Sequence, residues 1–118
     1  MPGIIENEFG KITIAEDIVA TLVGYAAGEN YGIVGMNSKK ASDTILQLVG
    51  TTNHKRGVKV TVIEDGTVMD IDLYITVVYG VSLPAVAKNA MENVRYRVED
   101  LTGLKVRNVN VHIEGIRV

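Results

Sequence analysis

Two aspartates and one histidine combine residue types that bind metals with positions in alternating apolar stretches. Asp70 and Asp72 are two positions apart in an alternating apolar stretch, and His112 follows Asn110 in a similar stretch. Side chains alternate along a strand, so both carboxylates should point to one face, where they could bind a divalent cation. The spacing is not diagnostic of a metal site, and alternating aspartates are typical of a solvated strand face. We therefore expect no metal, and a metal-dependent enzyme stays an alternative.

A second alternative is a small RNA-binding module. Gly32-Ile33-Val34-Gly35 has the G-x-x-G form with which KH domains clamp a nucleic-acid backbone, and His54-Lys55-Arg56 is the main basic cluster. The two central residues of the G-x-x-G segment favour burial over contact with phosphate. The chain also has 12 basic and 14 acidic residues, a formal charge of -2, which opposes general attraction to nucleic acid. We do not expect nucleic acid as a partner.

No other pattern in the sequence indicates catalysis. Cysteine is absent, there is no G-x-S-x-G segment, and neither histidine has a spaced serine and acidic partner. Gly10-Lys11 lacks the upstream glycine and the following hydroxyl residue of a phosphate-binding loop. The sequence therefore predicts no catalytic residues, no cofactor and no enzyme.

Composition predicts the compartment and the kind of core. The absence of cysteine agrees with a reducing compartment, and no apolar run approaches the ~18 residues of a membrane span. The first thirty residues lack the pattern of a signal peptide. We expect a cytoplasmic protein whose core is built from valine, isoleucine and leucine, because it has one Phe and no Trp.

The stretch from Gly57 to Gly80 predicts a β-hairpin. Apolar residues alternate on both sides of Asp65-Gly66, a pair that favours two-residue turns. Closing the hairpin there places Val62, Val60 and Val58 opposite Met69, Ile71 and Leu73. The other face then pairs Lys59 with Asp72.

Three helices are predicted around this hairpin. Thr13-Ile14-Ala15-Glu16 matches a capping box for a first helix that ends at Gly28. Asn37-Ser38 opens a second helix, which Gly50 ends. Ser82 is the predicted N-cap of the third helix and Gly103 its C′ residue. The predicted buried face of the third helix consists of Ala87, Met91, Val94, Val98 and Leu101.

These elements predict an α+β fold in one domain. We expect residues 1–8 to be a flexible lead-in and residues 9–118 to form a two-layer sandwich, with three helices packed on one face of a mixed β-sheet. Tyr31–Met36 reads as a strand, and the alternation of Val109, Val111 and Ile113 with polar residues predicts a last strand. The strand order within the sheet stays open.

The outer face of the hairpin is more apolar than a face meant for water alone. It carries Ile63, Val68, Tyr74, Thr76 and Val78 beside its charges. We predict that this face is a protein interface, most simply between copies of the chain, although a segment of the same chain could also cover it.

An ordered series of short motifs resembles the alkaline shock protein family of Gram-positive bacteria, in its short YloU-like form. The motifs are Gly32-Ile-Val-Gly35-Met36, Gly57-Val-Lys-Val60, Glu64-Asp-Gly66, Asp70-Ile-Asp72-Leu-Tyr74-Ile75, Tyr79-Gly80, Thr102-Gly-Leu104 and Val109-Asn-Val-His112-Ile-Glu-Gly115-Ile116. They cover about Gly10 to Ile116, which is nearly the whole chain.

The resemblance implies a non-enzymatic cytoplasmic domain linked to envelope and stress homeostasis. It also implies partners: some members self-assemble, and some associate with the membrane through an anchoring protein. No catalytic residues are implied. Together with the outer face, this favours a protein-binding or scaffold domain that forms homo-oligomers, without direct insertion into a membrane.

Overall fold

The computed structural model of the chain describes residues 2–36 and 57–118. The elements are β1 (Gly3–Asn7), β2 (Gly10–Ile14), α1 (Glu16–Gly28), β3 (Ile33–Met36), β4 (Val58–Ile63), a 3-10 turn (Glu64–Gly66), β5 (Val68–Val78), α2 (Leu83–Thr102) and β6 (Lys105–Arg117). β1 and β2 form a separate two-stranded sheet, and the other four strands form one mixed sheet. The α+β class with a mixed sheet is confirmed.

Strand β5 is the centre of the four-stranded sheet. One edge pairs in parallel with β6 along its length. The other edge pairs antiparallel, first with β4 and then with β3. Parallel neighbours need a long crossover, and α2 supplies it between β5 and β6.

The β4–β5 hairpin has the predicted register. Val58 pairs with Leu73, Val60 with Ile71 and Val62 with Met69. The turn differs from a simple two-residue loop, because Glu64 as well as Gly66 has positive φ, at 52° and 93°. The alternation of apolar residues therefore fixed the register without specifying the turn conformation.

The core lies between the helices and the inner face of β5. That face consists of Met69, Ile71, Leu73, Ile75 and Val77, none of which has solvent-exposed area. The packed residues from α1 include Val19 and Val23, and those from β6 include Val106 and Val109. Both described helices therefore pack on the same face of the sheet.

The buried face of α2 differs from the prediction. Val86, Ala90, Val94 and Val98 are buried, whereas Leu101 is 57% exposed and Met91 is also exposed. Residues four apart form a continuous ridge along a helix, and the small Ala90 lets this ridge approach the sheet closely. The larger Met91 and Leu101 consequently lie beside this ridge, where solvent reaches them.

The caps of α2 are as predicted, but the cap of α1 is not. The Ser82 hydroxyl accepts a hydrogen bond from the Ala85 amide, and Gly103 takes a left-handed conformation at φ 73°. Thr13, by contrast, lies inside β2 opposite Ile4. The predicted capping box is wrong because strand pairing extends the chain through this residue, and α1 begins at Glu16.

The predicted count of three helices is not matched by the described residues, which contain two. The helix predicted to open at Asn37-Ser38 falls outside the described residues.

The N-terminal residues form a strand, where a loose lead-in was expected. Gly3–Asn7 pairs with Gly10–Ile14. A β-carbon added to Gly3 would meet the Leu104 side chain, and one added to Gly66 would lie 2.8 Å from the Pro2 carbonyl oxygen. This hairpin therefore packs closely against the ends of the main sheet. Because these contacts and the pairing with β2 hold Gly3–Asn7 in a strand, the prediction of a loose lead-in is wrong.

We expect Gly66→Ala to destabilise the protein more than Gly80→Ala. Both glycines have positive φ, 93° and 95°, so both alanines should lose about 1–2 kcal/mol to backbone strain. At Gly66 the new methyl group would also collide with Pro2 and Ile4, whereas nothing lies within 4 Å at Gly80. Urea unfolding of the two variants measures the difference. Equal losses would contradict the packing of β1 against the turn.

Candidate functional site

The candidate site is the outer face of β5 and β6, opposite the helices. Because side chains alternate along each strand, the polar residues of both strands point to this face. The register places Asp70 beside Asn108, Asp72 beside Asn110 and Tyr74 beside His112. We refer to these residues, with Arg107, as the outer face of the sheet.

Asp70 is held by the neighbouring strand. The Arg107 Nε and Nη2 atoms lie 3.1 and 2.5 Å from its two carboxylate oxygens, and Asn108 donates a third hydrogen bond. Arg107 is the extra residue of a β-bulge in β6, which turns its side chain towards Asp70. The hydrogen bonds from Arg107, together with its positive charge, lower the pKa of Asp70 from its ordinary value of 3.8, although partial burial opposes the shift.

Asp72 has different partners. The Asn110 amide donates to its Oδ1 atom at 3.3 Å, and the His112 Nε2 atom lies 3.2 Å from the same oxygen. Lys59 stands opposite Asp72 in the register, as predicted. Each carboxylate thus has its own partners, and across the described residues no three acidic, histidine or cysteine side chains come together as a metal site requires.

Tyr74 is on the predicted face but is not exposed. Only 7% of it is accessible to solvent, and its ring stacks on His112 with centroids 4.6 Å apart and planes 13° from parallel. Of the other predicted interface residues, Val68 is also buried, and Ile63 and Thr76 are half-buried. Val78 is 38% exposed.

The exposed apolar surface lies at the far end of this face. Val78 is 38% exposed and is followed there by Tyr79, which is 70% exposed. The Tyr79 amide donates to the Arg117 carbonyl oxygen, which brings the ends of the two strands together. We call Val78 and Tyr79 the end patch. Ile116 pairs with the inner-face residue Val77 and therefore points to the opposite side of the sheet. Val78 was predicted from the sequence but Tyr79 was not, and the signal available for it was an aromatic residue directly after the strand.

The G-x-x-G segment opens a strand instead of forming a loop tip. Gly32 has φ 91°, and an added β-carbon would lie 2.9 Å from the Val86 side chain of α2. Ile33 is buried in the core. The segment is therefore packed against the protein itself, and the basic cluster His54-Lys55-Arg56 lies outside the described residues.

We expect Asp70→Asn to cost stability at neutral pH and much less in acid. The pKa of Asp70 is lowered in the folded state, so its contribution is present above the unfolded pKa and is lost as the pH falls through the folded pKa. The loss should be modest because Arg107 is half-exposed. Denaturant unfolding at pH 7 and pH 3 checks this, with Glu114→Gln as the exposed control on β6. A difference from wild type that does not shrink in acid would contradict it.

The comparison with protein families decides the classification. Residues 4–118 match the alkaline shock protein 23 family, whose description is "cell envelope-related function". The chain belongs to this family. The predicted resemblance is confirmed, and the match includes β1, which the sequence analysis had set aside as a lead-in.

Similar proteins come from two bacterial species. The chain is 37% identical over 115 residues to the uncharacterized protein YloU of Bacillus subtilis (strain 168), covering 97% of this chain and 94% of YloU. It is 36% identical to the uncharacterized protein YqhY of the same strain, covering 95% and 81%. It is also 36% identical to the uncharacterized protein Spy1614 of Streptococcus pyogenes serotype M6 (strain ATCC BAA-946 / MGAS10394), covering 97% and 93%. Neither the family description nor these names indicate an enzyme.

Solved structures show the same fold. Two variants of MamM CTD align with TM-scores of 0.50 and 0.51, at 17% and 16% identity. The alignments cover 84% and 85% of this chain, and 94% and 93% of those chains. At such low identity the likeness describes the fold alone. In the described part of the chain, neither helix is long and apolar enough to cross a membrane.

Proposed function

We propose that this chain is a non-enzymatic protein-binding module that associates with copies of itself through the outer face of the sheet and the end patch. The proposal rests on two kinds of surface that lie side by side. On the outer face, the carboxylates of Asp70 and Asp72 already accept hydrogen bonds from neighbouring side chains, and the end patch beside it is apolar and exposed.

The paired charges favour covering this face with protein. Burying an isolated charge is costly because it loses its water. Asp70 with Arg107 and Asp72 with His112 have replaced part of that water with hydrogen bonds inside the chain. A partner surface can therefore lie over them at a lower desolvation cost than over unpaired groups.

The end patch supplies the apolar contact that such a surface needs. Interface cores are enriched in aromatic residues, with polar residues at the rim. Tyr79 with Val78 fits the core, and the paired groups of the outer face fit the rim. Of the residues predicted earlier, Val78 carries the contact and Thr76 lies beside it on β5. Ile63 and Val68 pair at the opposite end of the β4–β5 hairpin and lie outside this contact.

The biological setting of the proposal comes from the family. A cell envelope-related function is the description of the family as a whole. For this chain we propose a scaffold role in envelope or stress homeostasis from a cytoplasmic location, with attachment to the membrane through an anchoring partner protein. The absence of a catalytic role is part of the same proposal.

We expect Val78→Asp to weaken self-association strongly, because the carboxylate would be buried without a partner at the contact. Sedimentation velocity from micromolar to near-millimolar concentration measures this. Ile18→Asp is the matched control, since Ile18 is an equally apolar exposed residue in the first turn of α1 and should leave association unchanged. If both variants self-associate as strongly as wild type, the proposed association through the outer face is wrong.

A further inference from the structure

Among the residues that the structure describes, few protect the outward edge of β6 against pairing with another strand. β6 has thirteen residues, and β5 is its only partner among the described strands. Natural edge strands are usually guarded against pairing by charged residues or proline. Between Arg107 and Glu114, the segment 108–113 reads NVNVHI and has neither aspartate, glutamate, lysine, arginine nor proline. The edge strand β4, by comparison, carries Lys59.

The beginning of this edge is closed by side chains from α2. The Glu99 carboxylate accepts a hydrogen bond from the Val106 amide at 2.9 Å. Arg95 donates to the Arg107 carbonyl oxygen, also at 2.9 Å. These two contacts occupy backbone groups of residues 106 and 107, directly before the uncharged segment.

A groove runs beside the open part of the edge. It has a volume of about 480 Å³ and lies between the outer side of α2 and the start of the segment at Asn108 and Val109. Its α2 side is mixed: Met91 and Tyr96 are accompanied by the charged residues Lys88, Glu92, Arg95 and Glu99. A strand added to β6 would lie about 4.8 Å further out. Its inward side chains would then project on the helix side of the sheet, where the groove offers space beside Met91 and Tyr96.

We infer that residues 108–113 of β6 pair antiparallel with the same segment of a second copy, which joins two sheets into one. A two-fold axis would give each copy both a strand and a groove. Val111 and Ile113, which are only partly buried against their own core, would then lie beside the groove of the other copy. The side chains that face each other on the outer surface would be asparagine and histidine, without opposed permanent charges. The occupant is thus a second copy because the segment is complementary to itself.

Single-cysteine cross-linking tests the pairing directly, because the chain has no cysteine of its own. In a two-fold antiparallel pair, the residue on the axis faces its own copy at a β-carbon distance of about 4.5–5.5 Å, close to what a disulfide needs. Among Asn110→Cys, Val111→Cys and His112→Cys, we expect one variant to form a disulfide dimer much faster than the others. Thr61→Cys, exposed on β4, is the control and should form no disulfide dimer. Equal rates in all four variants would overturn the inference.

A second test separates this inference from the proposed function, on which it rests. Asn110→Lys places a charge on the edge and should reduce association at least tenfold, while Asn110→Thr should retain it. Circular dichroism and thermal unfolding confirm that both variants fold. Because Asn110 also lies on the outer face, the cysteine variants make the distinction. If wild type associates and Val78→Asp does not, while no β6 cysteine variant cross-links faster than Thr61→Cys, the edge pairing is wrong and the proposed function stands. If wild type is a monomer at every concentration, both are wrong.

Discussion

Ile71→Ala is expected to lower the free energy of unfolding by about 4 kcal/mol, since large-to-small changes of isoleucine in a core usually cost about 2–5 kcal/mol. Ile71 has no exposed area and pairs with Val60 on one side and Val109 on the other. It therefore lies where β4, β5 and β6 meet beneath the helices, and the cavity left by the substitution cannot easily close. Such a loss is a large share of the total stability of a small domain, about 5–15 kcal/mol.

Urea unfolding followed by circular dichroism measures this loss. Ile12→Ala is the matched control, because Ile12 is the same residue type in a strand but is half-exposed in β2. The Ile12→Ala substitution should lower the free energy of unfolding by less than about 1 kcal/mol. Similar losses for the two variants would contradict the placement of β5 at the centre of the sheet.

Tyr74→Ala is expected to cost about 3 kcal/mol, close to what buried aromatic residues lose on truncation. Tyr74 lies on the outer face yet is almost fully covered, and its ring is stacked on His112. His112→Ala should cost about 1 kcal/mol, since it removes the stacking contact and leaves most of the tyrosine in place. The same unfolding measurement checks both variants.

Tyr96→Ala provides the control for Tyr74, because Tyr96 is exposed on α2 and alanine favours a helix. It should change the stability by less than about 0.5 kcal/mol. A Tyr74→Ala variant as stable as Tyr96→Ala would show that Tyr74 is a surface residue, as the sequence analysis had expected.

The local parts of the fold could be predicted from the sequence. Strand β5 and its pairing with β4 follow from a period of two on both sides of a turn, so the register of Val60 with Ile71 was available from the sequence. The ends of α2 at Ser82 and Gly103 were available for the same reason, since capping depends on neighbouring residues.

The parts that depend on distant contacts could not be predicted. Thr13 can cap a helix or extend a strand, and it lies in a strand because it pairs with Ile4. The face of α2 that packs on the sheet is the ridge through Val86, Ala90, Val94 and Val98, and helical periodicity alone did not distinguish it from the predicted face.

The candidate site shows the same division. Alternation correctly placed Asp70, Asp72 and Tyr74 on one face. It could not reveal that Arg107 reaches Asp70, because that contact needs a β-bulge in another strand. Nor could it reveal that His112 covers Tyr74, because the parallel pairing of β5 with β6 was left open. Consequently the exposed apolar surface was predicted at Tyr74, whereas the structure has it at the end patch.

Amide hydrogen exchange at low and high protein concentration tests most directly whether this protein binds its own copies. We expect the amides of residues 108–113 to exchange more slowly at near-millimolar than at low micromolar concentration, while those of the β1–β2 hairpin do not change. Exchange rates independent of concentration throughout the chain would contradict it.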